Sequence, residues 1–183
     1  KIEVGIDEVG RGCLLGRVYS AAVILPKEID PDDEFHLEIK DSKKHSAKNR
    51  ELLDEYIKHI ALDWQVSYQE VETIDSINIL QATYKSMHKS IDNLCISPDT
   101  LLVDGNNFKP YYRWGENGAE QVEHVCVVDG DNTYTAIAAA SILAKVARDH
   151  YIEELCHEYP DLDEKYNILS NKGYGAKQHI DGI

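Results

Sequence analysis

Three short apolar runs in this chain each lead into acidic residues, so burying the runs side by side in one sheet would gather those acids along its rim. Ile2, Val4 and Ile6 alternate with Glu3 and Gly5, and the strand they predict stops at Asp7-Glu8 and a glycine-rich turn. Residues 101–103 form a second buried run that ends at Asp104. Residues 122–128 form a third that ends at Asp129-Gly130-Asp131. Around them, residues 17–25 read as a strand stopped by Pro26, 64–71 as an alternating strand, and 35–39 as a brief one.

Helices are predicted between these strands. Ser46 is a natural N-cap for a helix reaching about residue 61, with Leu52, Leu53, Tyr56, Ile57 and Ile60 on one face. From 76 to 94, Ile77, Leu80, Tyr84, Met87, Ile91 and Leu94 step by three and four, the clearest helical period in the chain. An alanine-rich helix follows over 135–157 and ends before Pro160. With no repeat, low-complexity stretch or linker, the pattern predicts one mixed α/β (α+β) domain over 1–183, its helices packed on a central sheet.

Bulk properties narrow the function classes. No apolar run approaches the length of a membrane span, and nothing reads as a secretory leader. The four cysteines are scattered without a CxxC pair, which disfavours a disulfide framework or zinc site and points to a reducing, cytoplasmic setting. The formal net charge of −14 argues against an extended basic footprint. However, six acids between Glu28 and Glu38 and six between Glu153 and Glu164 account for all but two of the excess negative charges. Residues 40–50 carry five basic residues against one acid, so a local basic groove is compatible with the total.

Several carboxylates brought together at a sheet rim repel one another, and a hard divalent cation with oxygen ligands relieves that repulsion. Two such cations can activate water against a phosphodiester. Each acid also has a plainer reading. Asp104-Gly105 and Asp129-Gly130 are ordinary turn dipeptides, and Asp7-Glu8 reads equally as a solvated loop. Asp129 to Asn132 opens like a calcium loop, but Tyr134 occupies the sixth position and Ala140 the twelfth, where glycine and glutamate belong. Taken alone, the carboxylates leave the function open.

Longer motifs narrow it. GIDEVGRG at 5–12, DSKK at 41–44, Ile77-Asn78-Ile79-Leu80, LLVDGN at 101–106, GDNTYTAIAAASILAKVARD at 130–149 and KGYGAKQH at 172–179 resemble, in order, the signatures of the ribonuclease HII family. The resemblance implies a ribonuclease H-like fold, a central mixed sheet flanked by helices. It implies an active site of Asp7, Glu8, Asp104 and Asp131, with Asp129 the rival for the fourth place. It also implies magnesium or manganese, two ions during catalysis, with Asp7 bridging them. The expected reaction is cleavage of the RNA strand of RNA–DNA hybrids, and of the 5′ side of ribonucleotides embedded in duplex DNA, leaving a 3′-hydroxyl and a 5′-phosphate.

Substrate contacts are expected from the same motifs. A turn flanked by glycines can approach a sugar closely, so Gly10-Arg11-Gly12 is expected to bond the 2′-hydroxyl, the group that marks a ribonucleotide. Tyr174 resembles the family tyrosine that stacks on the neighbouring sugar. Lys43, Lys44, Lys145 and Arg148 are expected to contact phosphates, the last two sharing a helix face with Ser141, and Asn78 and Asn106 to touch the nucleic-acid backbone. The chain is expected to be a monomer, with any replication-clamp contact in a C-terminal tail beyond Ile183, where the family's extension is shortened or missing. Cys13 and Arg17 stand where the family has prolines, which predicts a looser turn. The competing readings are a ribonuclease H-like module that binds nucleic acid without cutting it, and an acidic calcium-binding protein.

Overall fold

In the computed structural model, which describes residues 1–30, 32–39 and 45–183, strands β1 (Glu3–Val9) and β2 (Val18–Ile24) form an antiparallel pair. After them come α1 (Glu34–Ile39), α2 (Ala47–Ile60), β3 (Asp63–Gln69), α3 (Val71–Ile77), α4 (Ile79–Asp92) and β4 (Thr100–Asp104). A small hairpin of β5 (Tyr112–Gly115) and β6 (Gly118–Gln121) precedes β7 (Glu123–Val127). The chain continues through a single helical turn, α5 (Gly130–Thr133), then α6 (Thr135–Glu158), α7 (Asp161–Tyr166), α8 (Ile168–Asn171) and α9 (Lys177–Gly182).

The main sheet has the order β3-β2-β1-β4-β7. The β1–β2 and β2–β3 pairs are antiparallel, whereas β1–β4 and β4–β7 are parallel, as the expected mixed sheet requires. Every residue of β2 is buried, which explains its nearly uninterrupted apolar sequence: both faces are covered. Side chains alternate between two cores. Ala21 and Val23 pack with Leu53 and Ile57 of α2 and with Ala138, Ala139 and Leu143 of α6. Val4, Ile6, Ala22 and Ile24 pack on the other face against Tyr84, Met87 and Ile91 of α4.

One glycine sets how closely the long helix approaches the sheet. A Cβ on Gly5 would lie 2.1 Å from the Ala136 carbonyl carbon, so β1 touches the first turn of α6 backbone to backbone. That contact lays α6 along β1, with Ser141 opposite Asp7.

Three expectations are corrected, and one element was missed. Residues 35–39 are helical (α1), not a strand; a single apolar alternation is too short to separate the two periods. The helix expected over 76–94 is two helices, broken at Asn78, whose φ of 71° ends α3 while its side chain accepts the Gln81 N–H at 3.1 Å and caps α4. β1 does not stop at Asp7-Glu8 but carries both acids in register, Asp7 opposite Ala21 and Glu8 opposite Ser20. The β5–β6 hairpin was not expected, although Asn117-Gly118, with Gly118 at φ 109°, is a strong short-range turn signal.

Candidate active site

Asp7 and Glu8 lie on adjacent positions of the central strand and so leave opposite faces of the sheet, near the strand's end. Asp104 ends the parallel neighbour β4. All three line one cavity of about 350 Å³, together with Arg50, Ser141, Lys145 and Tyr174. Asp7 is only 6% exposed, and its Oδ1 accepts the Glu8 N–H at 2.7 Å while the Ser141 hydroxyl donates to its carboxylate. Burial, reinforced by the charge of Asp104, pushes Asp7 well above the usual carboxylate range. Burial likewise raises Glu8 to about 7, although Arg11, with its guanidinium 3.7 Å away, pulls in the other direction.

Asp104 Oδ1 accepts the Gly130 N–H at 2.8 Å, which ties the end of β4 to the turn carrying Asp131. Asp131 itself is buried at 2% exposure and does not line the cavity. Three of the four expected acids therefore line one cavity, and the fourth is buried one residue beyond Gly130, whose N–H Asp104 accepts. Asp129, the rival, is exposed, with a left-handed backbone at φ 52°. Among the described residues, no three His, Cys, Asp or Glu side chains stand close enough to form a ready-made ion cage.

Beside the carboxylates, two loops are laced into one unit. Gly10 (φ 104°) turns the chain, and Cys13 N–H donates to the Gly10 carbonyl at 3.2 Å. Cys13 then bridges Tyr174, and Leu14 N–H donates to the Gly173 carbonyl at 2.8 Å. Tyr174 is 39% exposed beside Gly12, and burial raises its phenol to about 12.

Arg148 has a different job from the one expected of it. It is fully buried, and its guanidinium donates to the carbonyls of Arg17 (3.2 Å), Lys172 (2.7 Å) and Leu15 (2.9 Å). It clasps the two loops, and no donor edge faces solvent for a phosphate. The reason is spacing: residues 145 and 148 lie about 60° apart around α6, so Lys145 reaches the cavity while Arg148 points under the loops. Lys145 donates to Asp149 at 2.8 Å.

Arg17 is also not the loosening substitution expected. Its guanidinium makes two bonds to Glu70 (2.8 and 2.7 Å) and lies over the rings of Tyr68 (4.1 Å) and Tyr151 (4.5 Å). Asn78 is exposed and serves as the α4 cap, and Asn106 is exposed just past Asp104. Lys43 and Lys44, with the whole segment 41–44, lie outside the described residues. Arg50, which lines the cavity and lies 3.8 Å from Asp149, was missed; its only sequence signal was membership of the basic stretch 40–50.

Comparison with known proteins fits this geometry. The family model described as Ribonuclease HII matches residues 4–183. A ribonuclease HII of Parabacteroides distasonis is 45% identical over 183 residues, covering 100% of this chain and 83% of that protein. One from Phocaeicola vulgatus is 48% identical over 178 residues, covering 97% and 80%. Among solved structures, ribonuclease H2 from Pyrococcus horikoshii superposes with a TM-score of 0.75 at 24% identity, covering 98% of this chain and 83% of that one. A Bst-RNase HIII in complex with Mn2+ superposes at 0.67 and 16% identity, covering 99% and 68%. The last two support the fold, a mixed sheet flanked by helices; on the family match and the two bacterial relatives, the chain belongs to the ribonuclease HII family.

Proposed function

We propose that this ribonuclease cuts the RNA strand of RNA–DNA hybrids, and the 5′ side of ribonucleotides embedded in duplex DNA, with Asp7, Glu8, Asp104 and Asp131 as its acidic residues. The observation that carries this reading is the trio Asp7, Glu8 and Asp104 around one cavity, the first two held above the carboxylate range. Asp131 joins the set by its motif position alone.

The donors fit a hard cation. Carboxylates and the Ser141 hydroxyl line the cavity, with no thiol or imidazole among them, which suits magnesium or manganese rather than zinc. Two such ions, when bound, supply the Lewis acidity that activates a water and neutralises the departing 3′ oxygen. The chain's own residues do the remaining work. Ser141 and the Glu8 N–H fix the orientation of the Asp7 carboxylate, and Arg11 steadies Glu8. Backbone groups of Gly10-Arg11-Gly12 bond the 2′-hydroxyl, and Tyr174 stacks on the adjacent sugar. Lys145 and Arg50, cavity-wall residues that both pair with Asp149, face the phosphates, and the exposed Asn106, two residues past Asp104, touches the nucleic-acid backbone.

The test is a DNA duplex bearing one ribonucleotide, incubated with magnesium, manganese or a chelator. Cleavage on the 5′ side with metal, and none with chelator, is expected. Asp7→Asn should keep the wild-type circular dichroism and lose cleavage; activity retained in that variant would remove Asp7 from the reaction. A wild-type protein that binds the duplex in both metals without cutting it is instead a silent binding module.

A further inference from the structure

We infer that Lys85, Lys89 and Lys109 form a docking strip for the phosphate backbone of the substrate duplex, away from the carboxylates; this rests on the nuclease reading above. The argument starts from the use of positive charge. The chain has 19 Lys and Arg against 33 acids, so nearly every cation can find an acidic neighbour. Most do. Among the described residues Lys1, Arg11, Arg17, Arg50, Lys58, Arg113, Lys145, Lys165, Lys172 and Lys177 make ion pairs, and Arg148 is satisfied by carbonyls.

Lys27, Lys48, Lys85, Lys89 and Lys109 are the described cations left without an ion pair, and three of those five line a single cavity of about 570 Å³. Lys85 and Lys89 are also i,i+4 neighbours on α4, an arrangement that repels by a few tenths of a kcal/mol on a bare helix. The one acid in the cavity wall, Asp92, already accepts the Tyr111 hydroxyl at 2.7 Å. A concentration of unpaired positive charge in a chain of net charge −14 calls for an anion from outside.

Three further features bear on the cavity wall. Tyr84 forms part of the wall, is 6% exposed, and its hydroxyl has no hydrogen-bond partner among the described residues. His88 meets the Lys109 carbonyl through Nε2 at 2.8 Å, which holds that loop against α4. Lys89 Nζ lies 5.6 Å from the Tyr68 ring centroid, so its charge is held toward the end of β3.

Register places this cavity near the reaction. Gln69, in the cavity wall, pairs with Val18, and the row beside it runs from Tyr68 through Tyr19 to Val9, next to Glu8. Two strand spacings, about 10 Å, separate the Gln69 edge of this cavity from Val9 across the sheet. At about 3.4 Å per phosphate along one strand, a duplex covers that distance in about three nucleotides. The near edge of the strip's cavity is therefore within reach of a duplex whose cut lies at the carboxylates.

The experiment compares wild type with Lys85→Gln/Lys89→Gln/Lys109→Gln on a DNA duplex bearing one ribonucleotide, across a salt series in magnesium. All three positions are exposed, glutamine keeps helix propensity at 85 and 89 on α4, and the thermal midpoint checks folding. The expected result is an unchanged kcat, a KM raised about tenfold or more near 0.1 M salt, and a plot of log(kcat/KM) against log[salt] shallower by about 2 to 3. Lys27→Gln, an unpaired cation outside this cavity, should change neither slope nor KM. An unaltered slope in the triple variant overturns the inference, as does a loss confined to kcat. If wild type neither binds nor cuts the duplex, the nuclease reading itself fails, and that outcome is distinct from both.

Discussion

Arg148 offers the sharpest discrimination, because a clasp and a phosphate contact leave opposite signatures. Arg148→Met removes a buried guanidinium and strands three loop carbonyls that it bonds at 2.7, 2.9 and 3.2 Å. Each stranded group is worth about 1–3 kcal/mol, and water entering the gap recovers part of that, so a net destabilisation of about 3–5 kcal/mol is expected. For a chain of this size that lowers the thermal midpoint by about 6–20 °C. Urea unfolding measures it directly. Arg148→Lys should fall nearly as far, since one ammonium cannot reproduce a fork aimed at three carbonyls. A phosphate contact would behave differently: stability within about 0.5 kcal/mol of wild type, and a salt slope shallower by about 1. That second outcome would refute the clasp.

Other consequences follow from the site. In chelator, Glu8 has its proton affinity raised from 4.5 to about 7 by folding, so its stabilising contribution is complete below about pH 4.5 and lost as pH rises through 7. Two and a half pH units amount to about 3 kcal/mol, so Glu8→Gln should be more stable than wild type by up to that amount at pH 8 and converge with it near pH 4.5. Parallel urea midpoints for the two proteins between pH 5 and 8 would contradict this. Gly10→Ala places a Cβ 2.7 Å from Arg148 Nε at a φ of 104°; a loss of about 2–4 kcal/mol and weaker cutting at single ribonucleotides are expected from unfolding and cleavage assays. Tyr174→Ala should reduce cleavage at a single ribonucleotide by about tenfold or more while moving the urea midpoint little, given the ring's 39% exposure.

What the sequence displayed well was whatever repeats with a period or a cap. The α2 helix begins at its serine cap, and α6 occupies Thr135–Glu158, within a residue of expectation. The carboxylates were legible as strand-end acids, yet their burial was not: Asp7 lies inside β1 because β2 pairs through to Val9, a fact set by a partner strand rather than by local sequence. The break at Asn78 hid inside a helical period that continues across it, since α3 and α4 both keep apolar residues at matching steps. Arg148 was misread for a related reason. A helix pattern shows which residues share a face, but not that Leu15, Arg17 and Lys172 would fold over that face and present their carbonyls.

Arg17 carries the same lesson to the level of the active site. A proline at that position would stiffen the turn by fixing its own φ; arginine achieves an equivalent restraint through its environment. Tyr68 and Tyr151 sandwich the guanidinium, Glu70 grips it with two bonds, and its backbone carbonyl receives Arg148. The two arginines thus act in series: Glu70 and the tyrosines hold Arg17, Arg17 presents its carbonyl to Arg148, and Arg148 holds Lys172 two residues before Tyr174. Because Glu70 belongs to the β3–α3 junction, the position of Tyr174 depends on a part of the sheet far from the carboxylates in sequence. Restraint by one residue's own ring needs no partners, whereas this restraint needs four side chains to be in place together. Glu70→Gln should therefore weaken cutting at single ribonucleotides more than at long hybrids, where neighbouring sugars offer additional 2′-hydroxyls; equal losses on both substrates would break the proposed chain from Glu70 to Tyr174.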